Sequence, residues 1–346
     1  MAIFNHSEFD NHEQVVFCSD AETGLKAIIA VHSTALGPAV GGCRLWDYVS
    51  DDAALNDVLR LSRGMTYKNA MAGLPLGGGK SVIIGDAKKI KSEALFRAFG
   101  RMLHRLSGSY YSAEDVNITT GDIMIVNKET PYVAGLEGKS GNPAPFTALG
   151  TYRGIKAAAK HKFGSDDLSN RTVAIQGLGS VGFYLCEHLH KDGAKLIVTD
   201  INPQAISRAV EQFGAVAVGL DEIYSVDADV YAPCALGATV NDDTIPQLKA
   251  RIVAGCANNQ LKEARHGDML RQQGILYAPD YVINAGGIIN VAFEMRPEGY
   301  SEPESSAKVM LIYDTLLNIF QRADAENQST SVIADLMAQE IIRRGK

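Results

Sequence analysis

Two lysines flank a glycine-dense stretch that runs from Gly64 through Met65-Thr66-Tyr67-Lys68-Asn69 to Gly77-Gly78-Gly79-Lys80-Ser81. Apolar residues follow at once in Val82-Ile83-Ile84, so Lys80 is expected at the mouth of a buried strand. Burial disfavours the ammonium and moves a lysine from its reference near ~10.4 toward neutrality, where it can act as a base. Lys68 closes a segment of helical character, where a charged ammonium could hold an anion. Three successive glycines allow backbone N–H groups to approach a ligand. Gly79-Lys80-Ser81 resembles the tail of a P-loop, but Leu74 stands where that motif needs its first glycine. A structural turn with two surface lysines is the plainer alternative. The pairing of both lysines with glycine and an apolar strand favours chemistry. Tyr110–Asn117 reads as a strand ending in a polar loop, which would bring Asp115 toward Lys80. Alternatively, Glu114 and Asp115 cap a helix starting near Thr119–Thr120.

A second constellation lies farther on. The apolar run Arg171–Gln176 leads into Gly177-Leu178-Gly179-Ser180-Val181-Gly182. This is G-x-G-x-x-G in the context the motif requires, with a strand before it and an amphipathic pattern (Val181, Leu185, Cys186, Leu189) after it. Leu196–Thr199 then ends in Asp200, at close to the ~20-residue spacing expected of the acid that grips a ribose. The first two glycines permit a tight turn and approach to a pyrophosphate. The third permits close packing of helix on strand, and the helix N-terminus stabilises phosphate charge. Asp200 is followed by Ile201-Asn202-Pro203, with no arginine for a 2′-phosphate, so NAD is favoured over NADP. Strands expected at 229–235, 251–255 and 275–280 end in polar or glycine-rich loops that include Ala257-Asn258-Asn259-Gln260 and Asn284-Ala285-Gly286-Gly287. Ligands of open parallel sheets bind at such carboxyl ends. Each of Asn258, Asn259 and Asn284 is equally compatible with an ordinary helix cap.

The elements that must position these groups follow from the rest of the chain. Its 346 residues allow about two domains at ~100–200 residues each. With 46% hydrophobic and 21% charged residues, the composition is that of a soluble globular protein. A net charge of −7 argues against nucleic acid or an anionic membrane as a general partner. The five cysteines are scattered, with no C-x-x-C pair or metal-ligand spacing. They read as reduced thiols of a cytoplasmic protein with no bound metal. The polar, acidic N-terminus is unlike a signal peptide, and no apolar run reaches the ~18 residues of a membrane span. Strands are expected at 15–19, 25–31 and 81–85, with Gly37–Gly42 as a loop facing a ligand. Helices are expected at 51–64 (capped by Ser50), 93–106, 148–162, 205–213, 288–320 and 331–344, the last two segments broken by Pro297-Glu298-Gly299 and the polar run Ala325–Thr330, and a short strand at 215–218. The turn-rich stretch 138–147 is the expected hinge. The expected fold is α/β with two domains and a cleft between them. Residues 1–140 would form an α/β substrate, catalytic and oligomerisation domain. Residues 141–330 would form a Rossmann-type, doubly wound NAD-binding domain, with the helix 331–346 packing back on the first.

Taken together, Met65-Thr66-Tyr67-Lys68, Gly77-Gly78-Gly79-Lys80, the Gly177–Gly182 motif, Ala257-Asn258-Asn259-Gln260-Leu261 and Asn284-Ala285-Gly286-Gly287 resemble the amino-acid dehydrogenase family. That family comprises the glutamate, leucine, phenylalanine and valine enzymes, with the leucine enzymes nearest. The resemblance runs along nearly the whole chain. It implies reversible oxidative deamination of an L-amino acid with NAD, by a homo-oligomer acting on an amino acid, a 2-oxo acid and ammonia. It implies that Lys68 binds the substrate carboxylate, that Lys80 is the general base, and that Asp115 shuttles protons at the amino group. Gly41 and Gly42 would face the substrate. Thr147, Asn259 and Asn284 would position the nicotinamide end, with Ala257 beside them. Gly177, Leu178, Gly179, Ser180, Val181, Gly182, Asp200 and Ile201 would hold pyrophosphate and ribose, with Cys234 and Ala235 beside the adenosine. Val40, Ala113, Ile288 and Val291 would line the side-chain pocket. All four are apolar, so a glutamate side chain would lack a partner there. Three are branched, which favours leucine, valine or isoleucine over phenylalanine or tryptophan. The segment Gly135–Ser140 looks shorter than in the leucine enzymes.

Overall fold

The computed structural model describes residues 3–136 and 140–345. The chain divides into two compact units. The first comprises Met1–Gly141, Val291–Tyr300 and Ala338–Lys346, and the second comprises Asn142–Asn290 and Ser301–Met337.

The first unit is built on five strands: β1 (Gln14–Asp20), β2 (Leu25–Ser33), β3 (Ala39–Trp46), β4 (Gly77–Ile84) and β5 (Tyr110–Ala113). Their order is β1-β2-β4-β3-β5. β4 runs antiparallel to β2 and parallel to β3, which is itself parallel to β5. Successive side chains of a strand point to opposite faces, and two helical layers exploit this. Ile28, Ala30 and Val82 meet Ala54, Leu55, Val58 and Leu59 of the helix Asp51–Met71. Ile29, Val31, Cys43, Leu45 and Ile83 pack with Leu95, Phe96, Phe99 and Leu103 of the helix Glu93–His104. Ser50 caps the first of these helices by accepting from the Ala53 N–H at 3.1 Å. About two further turns beyond 51–64 extend this helix to Met71, carrying Lys68 into its last turn.

Two expected loops are strands. Gly77-Gly78-Gly79 opens β4 in the middle of the sheet, and Ala39–Gly42 opens β3. The glycines serve close packing rather than approach to a ligand. A Cβ on Gly78 would lie 2.0 Å from the Thr66 nitrogen, and one on Gly79 would lie 2.5 Å from Cδ2 of Tyr110. The helix Asp51–Met71 and the Tyr110 ring therefore rest directly on backbone. No side-chain periodicity marks a strand made of glycine, so the sequence pattern reads as a loop.

The second unit holds β6 (Thr172–Gln176), β7 (Lys195–Thr199), β8 (Val216–Ala217), β9 (Val230–Pro233), β10 (Ile252–Val253) and β11 (Leu276–Tyr277). All neighbours are parallel, in the order β11-β10-β9-β6-β7-β8. The winding reverses between β6 and β9, a topological switch point where crevices form at strand ends. The helix Ala144–Phe163 begins within the stretch expected to be a hinge, with Pro143 before its first turn. Residues 137–139 of that stretch, and of the segment Gly135–Ser140, lie outside the described residues. The helical stretch 288–320 is interrupted around Pro297-Glu298-Gly299 as expected, and also at Leu311, giving Gly286–Ala292, Glu302–Met310 and Ile312–Glu326, and Thr330–Gly345 follows. No described helix is long and apolar enough to cross a membrane.

Candidate active site

In the first unit the sheet and one loop bring the expected catalytic pair together. Lys80 is the fourth residue of β4, inside the strand rather than at its mouth. Strand alternation puts its side chain on the Val82 face, which the helix carrying Lys68 covers. Its Nζ lies 2.9 Å from Oδ2 of Asp115, and the side chain is only 8% exposed. The buried amine thus has a carboxylate partner, which burial alone does not supply. Arg44 Nε donates to the same Asp115 oxygen at 3.1 Å, and Arg44 Nη1 donates to Asp57 Oδ2 at 2.8 Å. Tyr48 completes the chain by donating to Asp57 at 2.7 Å. Burial pushes the Asp115 carboxyl up, but Lys80 and Arg44 together outweigh it and hold the group below the ordinary carboxylate range. Gly42 makes room for this aspartate, because a Cβ there would lie 2.7 Å from the Asp115 Cβ.

Asp115 does not cap the helix that follows it. Thr119 does so, in a reciprocal box with Asp122 at the start of Thr120–Asn127, which leaves the Asp115 carboxylate to its two cations. Lys68 is half-buried in the last turn of its helix. The adjacent Asn69 anchors that turn to β4 by donating to the Gly77 carbonyl at 2.6 Å. Val40 is fully buried and pairs in register with Gly78, and Ala113 pairs with Gly42. Ile288 and Val291 sit one turn apart on the helix Gly286–Ala292, both half-buried. The Cys43 thiol, enclosed beside this group, is pushed up to about 12 by burial, so it is no nucleophile.

In the second unit the glycine motif forms the turn between β6 and the helix Ser180–Lys191. Gly177 has φ +106°, and a Cβ there would meet Ala235 at 2.7 Å. Gly182 packs so closely that a Cβ would lie 2.1 Å from the Gly177 carbonyl. Gly179 and Ser180 are exposed, and no side chain caps the helix they open. Its first N–H groups are therefore available to an anion. Asp200 accepts from the Leu178 N–H at 2.5 Å and from the Asn202 N–H at 2.8 Å, which fixes its carboxylate against the turn. Ile201 is 86% exposed beside it. Cys234 follows β9 directly, its N–H donating to the Gln176 carbonyl at 2.7 Å. Asn284 donates to the Cys256 carbonyl at 3.1 Å and to Asn258 Oδ1 at 2.7 Å. Its own Oδ1 is buried without a hydrogen-bond partner. Thr147 lies next to Gly287, where a Cβ would meet its hydroxyl at 2.8 Å. Asn259 holds φ +51°, beside Ala257, whose N–H donates to the Pro233 carbonyl at 2.9 Å. An uncapped helix start, a glycine cradle and an orphaned buried carbonyl oxygen fit a dinucleotide with a carboxamide at one end.

Several contributors were not singled out in the sequence. Arg44, Asp57 and Tyr48 steady Asp115. Tyr110 donates to the Gly41 carbonyl at 2.8 Å and lies 3.1 Å from the Ser81 hydroxyl. Gln260, fully buried, donates to the Gly255 and Ala257 carbonyls and so shapes the Asn258–Asn259 loop. Arg44 carried a signal, as the one charge in the otherwise apolar run Ala39–Leu45. The others did not.

Residues 12–135 match the family model for the Glu/Leu/Phe/Val dehydrogenase dimerisation domain, and residues 201–330 match that for Glutamate/Leucine/Phenylalanine/Valine dehydrogenase. The chain belongs to the Glu/Leu/Phe/Val dehydrogenase family. It is an amino-acid dehydrogenase, and it works with a nicotinamide cofactor. Leucine dehydrogenase of Bacillus cereus is 58% identical over 99% of this chain and 94% of its own. That of Geobacillus stearothermophilus has the same identity and coverage. Among solved structures of this dehydrogenase family, L-tryptophan dehydrogenase from Nostoc punctiforme superposes with a TM-score of 0.88 at 48% identity, covering 97% of this chain and 96% of its own.

Proposed function

We propose that the protein catalyses the reversible NAD-dependent oxidative deamination of a branched-chain aliphatic L-amino acid to the 2-oxo acid and ammonia. The observation that carries this reading is the Lys80–Asp115 pair, set in a chain 58% identical over nearly its whole length to leucine dehydrogenases. Lys68 holds the substrate carboxylate. The substrate's amino group then faces Lys80 and Asp115. Lys80, once it has passed its proton to Asp115 or to solvent, activates the water that hydrolyses the imino acid. Asp115, kept anionic by Lys80 and Arg44, carries protons to and from the departing nitrogen. When bound, NAD would supply the acceptor for the substrate's hydride. Gly177–Gly182 and Asp200 would hold its pyrophosphate and adenosine ribose, and Thr147, Asn259 and Asn284 would hold its nicotinamide end. Asp200 would accept from a 2′-hydroxyl and repel a 2′-phosphate.

Val40, Ala113, Ile288 and Val291, which the resemblance assigns to the side-chain pocket, are all apolar, which supports an aliphatic substrate. One methylene in such a pocket is worth about 1–3 kcal/mol, so graded activity across leucine, isoleucine and valine is expected. Phe17, on the edge strand β1, is 63% exposed. Apolar surface on a sheet edge supports a homo-oligomer. The deciding experiment is initial-rate measurement with leucine, valine, isoleucine, phenylalanine and tryptophan, each with NAD and NADP. The aliphatic substrates with NAD should give the highest kcat/KM. A higher value with either aromatic would refute the substrate assignment. NAD binding without turnover on any amino acid would replace the enzyme reading with that of a silent regulator.

A further inference from the structure

The second unit brings two thiols together where the reaction above makes no use of them. β9 and β10 are parallel neighbours with Val230 opposite Ile252 and Tyr231 opposite Val253. Three residues past the ladder the register slips by one, so that Ala257 rather than Cys256 bonds the Pro233 carbonyl, and Cys234 and Cys256 come into contact there. The chains stay together that far. The Ala254 N–H donates to the Tyr231 carbonyl, and the Ala257 N–H donates to the Pro233 carbonyl, each at 2.9 Å. Gly255 lies so near that a Cβ there would meet the Pro233 carbonyl oxygen at 2.2 Å. The Cys234 sulfur is in hydrogen-bonding contact with the Cys256 thiol and with the Cys256 backbone N–H. Both cysteines are unbridged. Cys234 is partly exposed, and Cys256 is 9% exposed.

The surroundings make one of the two reactive. The Cys256 thiol, followed by its backbone N–H, outweighs burial and holds the Cys234 thiol below its ordinary value. Cys186, a third thiol of this unit that interacts electrostatically with Cys234, is pushed well up by burial and is inert. A lowered, partly accessible thiol with a second thiol in contact is the arrangement of an attacking and a resolving cysteine.

We propose that Cys234 and Cys256 form an oxidisable dithiol that closes into a disulfide at the carboxyl ends of β9 and β10 and thereby switches off cofactor binding. With hydrogen peroxide as oxidant, the Cys234 thiolate attacks one peroxide oxygen, giving a sulfenic acid and one water. The Cys256 thiolate then attacks the Cys234 sulfur, forming the S–S bond and expelling the second water. The protein loses two hydrogens and the peroxide is reduced to two waters. The consequence for binding rests on the reading that the Gly177–Gly182 turn holds NAD. Cys234 packs on Gly182, where a Cβ would meet its own Cβ at 3.5 Å, and the next residue, Ala235, packs on Gly177. The Cys256 carbonyl accepts from Asn284. A new covalent bond between the two loops therefore pulls on both ends of the proposed cofactor site.

The test treats the full-length protein with hydrogen peroxide, with and without saturating NAD, and maps its peptides under non-reducing conditions. NAD affinity is titrated in parallel. The expected result is one cross-linked peptide pair joining Cys234 to Cys256, slower to form with NAD present. The dissociation constant for NAD should rise by roughly tenfold or more, and dithiothreitol should reverse it. Cys256→Ser, compared with its own untreated sample, should keep its NAD affinity after the same brief exposure. Cys186→Ser should still form the cross-link. Absence of the cross-linked pair from oxidised wild-type protein would overturn the proposal, as would formation of the pair with unchanged NAD affinity. The cross-link is read by mass alone, so a reduced protein that binds no NAD would refute the cofactor reading and leave the dithiol in place.

Discussion

Both units contain a glycine cluster beside the residues proposed to do the work, and the two clusters are used in opposite ways. In β4 the glycines are buried, and helix backbone and an aromatic ring lie against them. At the turn after β6, Gly179 is exposed and nothing lies within 4 Å of the Cβ it lacks. The first cluster removes side chains so that protein can approach protein. The second leaves backbone N–H groups open to a ligand. Electrostatics divides in the same way. The proposed acid and base of the first unit are already paired with each other, within an array that includes Arg44, Asp57 and Tyr48. The second unit offers an uncapped helix start and an unpartnered Asn284 oxygen. A reactive amine inside a sheet must have its charge balanced in the folded protein, whereas a cofactor site is completed by what it binds.

The sharpest way to break this contrast is the same substitution in each cluster. Gly78→Ala should destabilise the protein by about 4 kcal/mol or more, because backbone must move to admit the methyl group. Gly179→Ala should change stability by less than about 0.5 kcal/mol while weakening NAD. Urea denaturation and NAD titration of both variants measure this, and equal destabilisation would erase the distinction. Next in size is Lys80→Ala, which should lower kcat by roughly 10²–10⁴-fold with NAD affinity nearly intact. An active variant would remove the base from the first unit.

The first unit should also be the more acid-sensitive. His32 donates to or accepts from Thr66 at 2.8 Å and lies edge-on to His12. Burial, then the neighbouring His12, push it down to about 4 from 6.5, against the pull of Asp10 and with a smaller push from Arg63. It is neutral in the folded protein, while an unfolded chain takes up the proton near 6.5. Its contribution is therefore present above about 6.5 and is lost as pH falls toward about 4, on the order of 3 kcal/mol in all. Denaturation midpoints measured across that window should fall for the wild type and fall less for His32→Gln. Equal slopes would assign the acid sensitivity elsewhere. The smallest expected effect is that of Asp200→Ala, which should weaken NAD and relax discrimination against NADP by roughly tenfold. An unmoved preference, measured as the ratio of kcat/KM for the two cofactors, would relocate the ribose contact.

Much of the second unit was legible before folding because its signals are local. The strand, the glycine spacing, the helical periodicity and the acid at the end of the next strand all fall within about thirty residues of one another. The pairing of Lys80 with Asp115 was half legible. Each residue stood out by type, but their contact joins the centre of β4 to a loop beyond β5. Arg44 reaches the same carboxylate from β3. The strand character of Gly77–Gly79 was hidden, since a strand announces itself through alternating side chains and these residues have none.

The sequence alone therefore determined the family, the two kinds of chemistry and most of the elements, because each depends on neighbours along the chain. Only the tertiary structure decided that Lys80 lies inside a strand with a carboxylate against it, and that Cys234 meets Cys256. Those outcomes depend on strand order and register, which are settled by which faces can be buried together and not by any short run of residues.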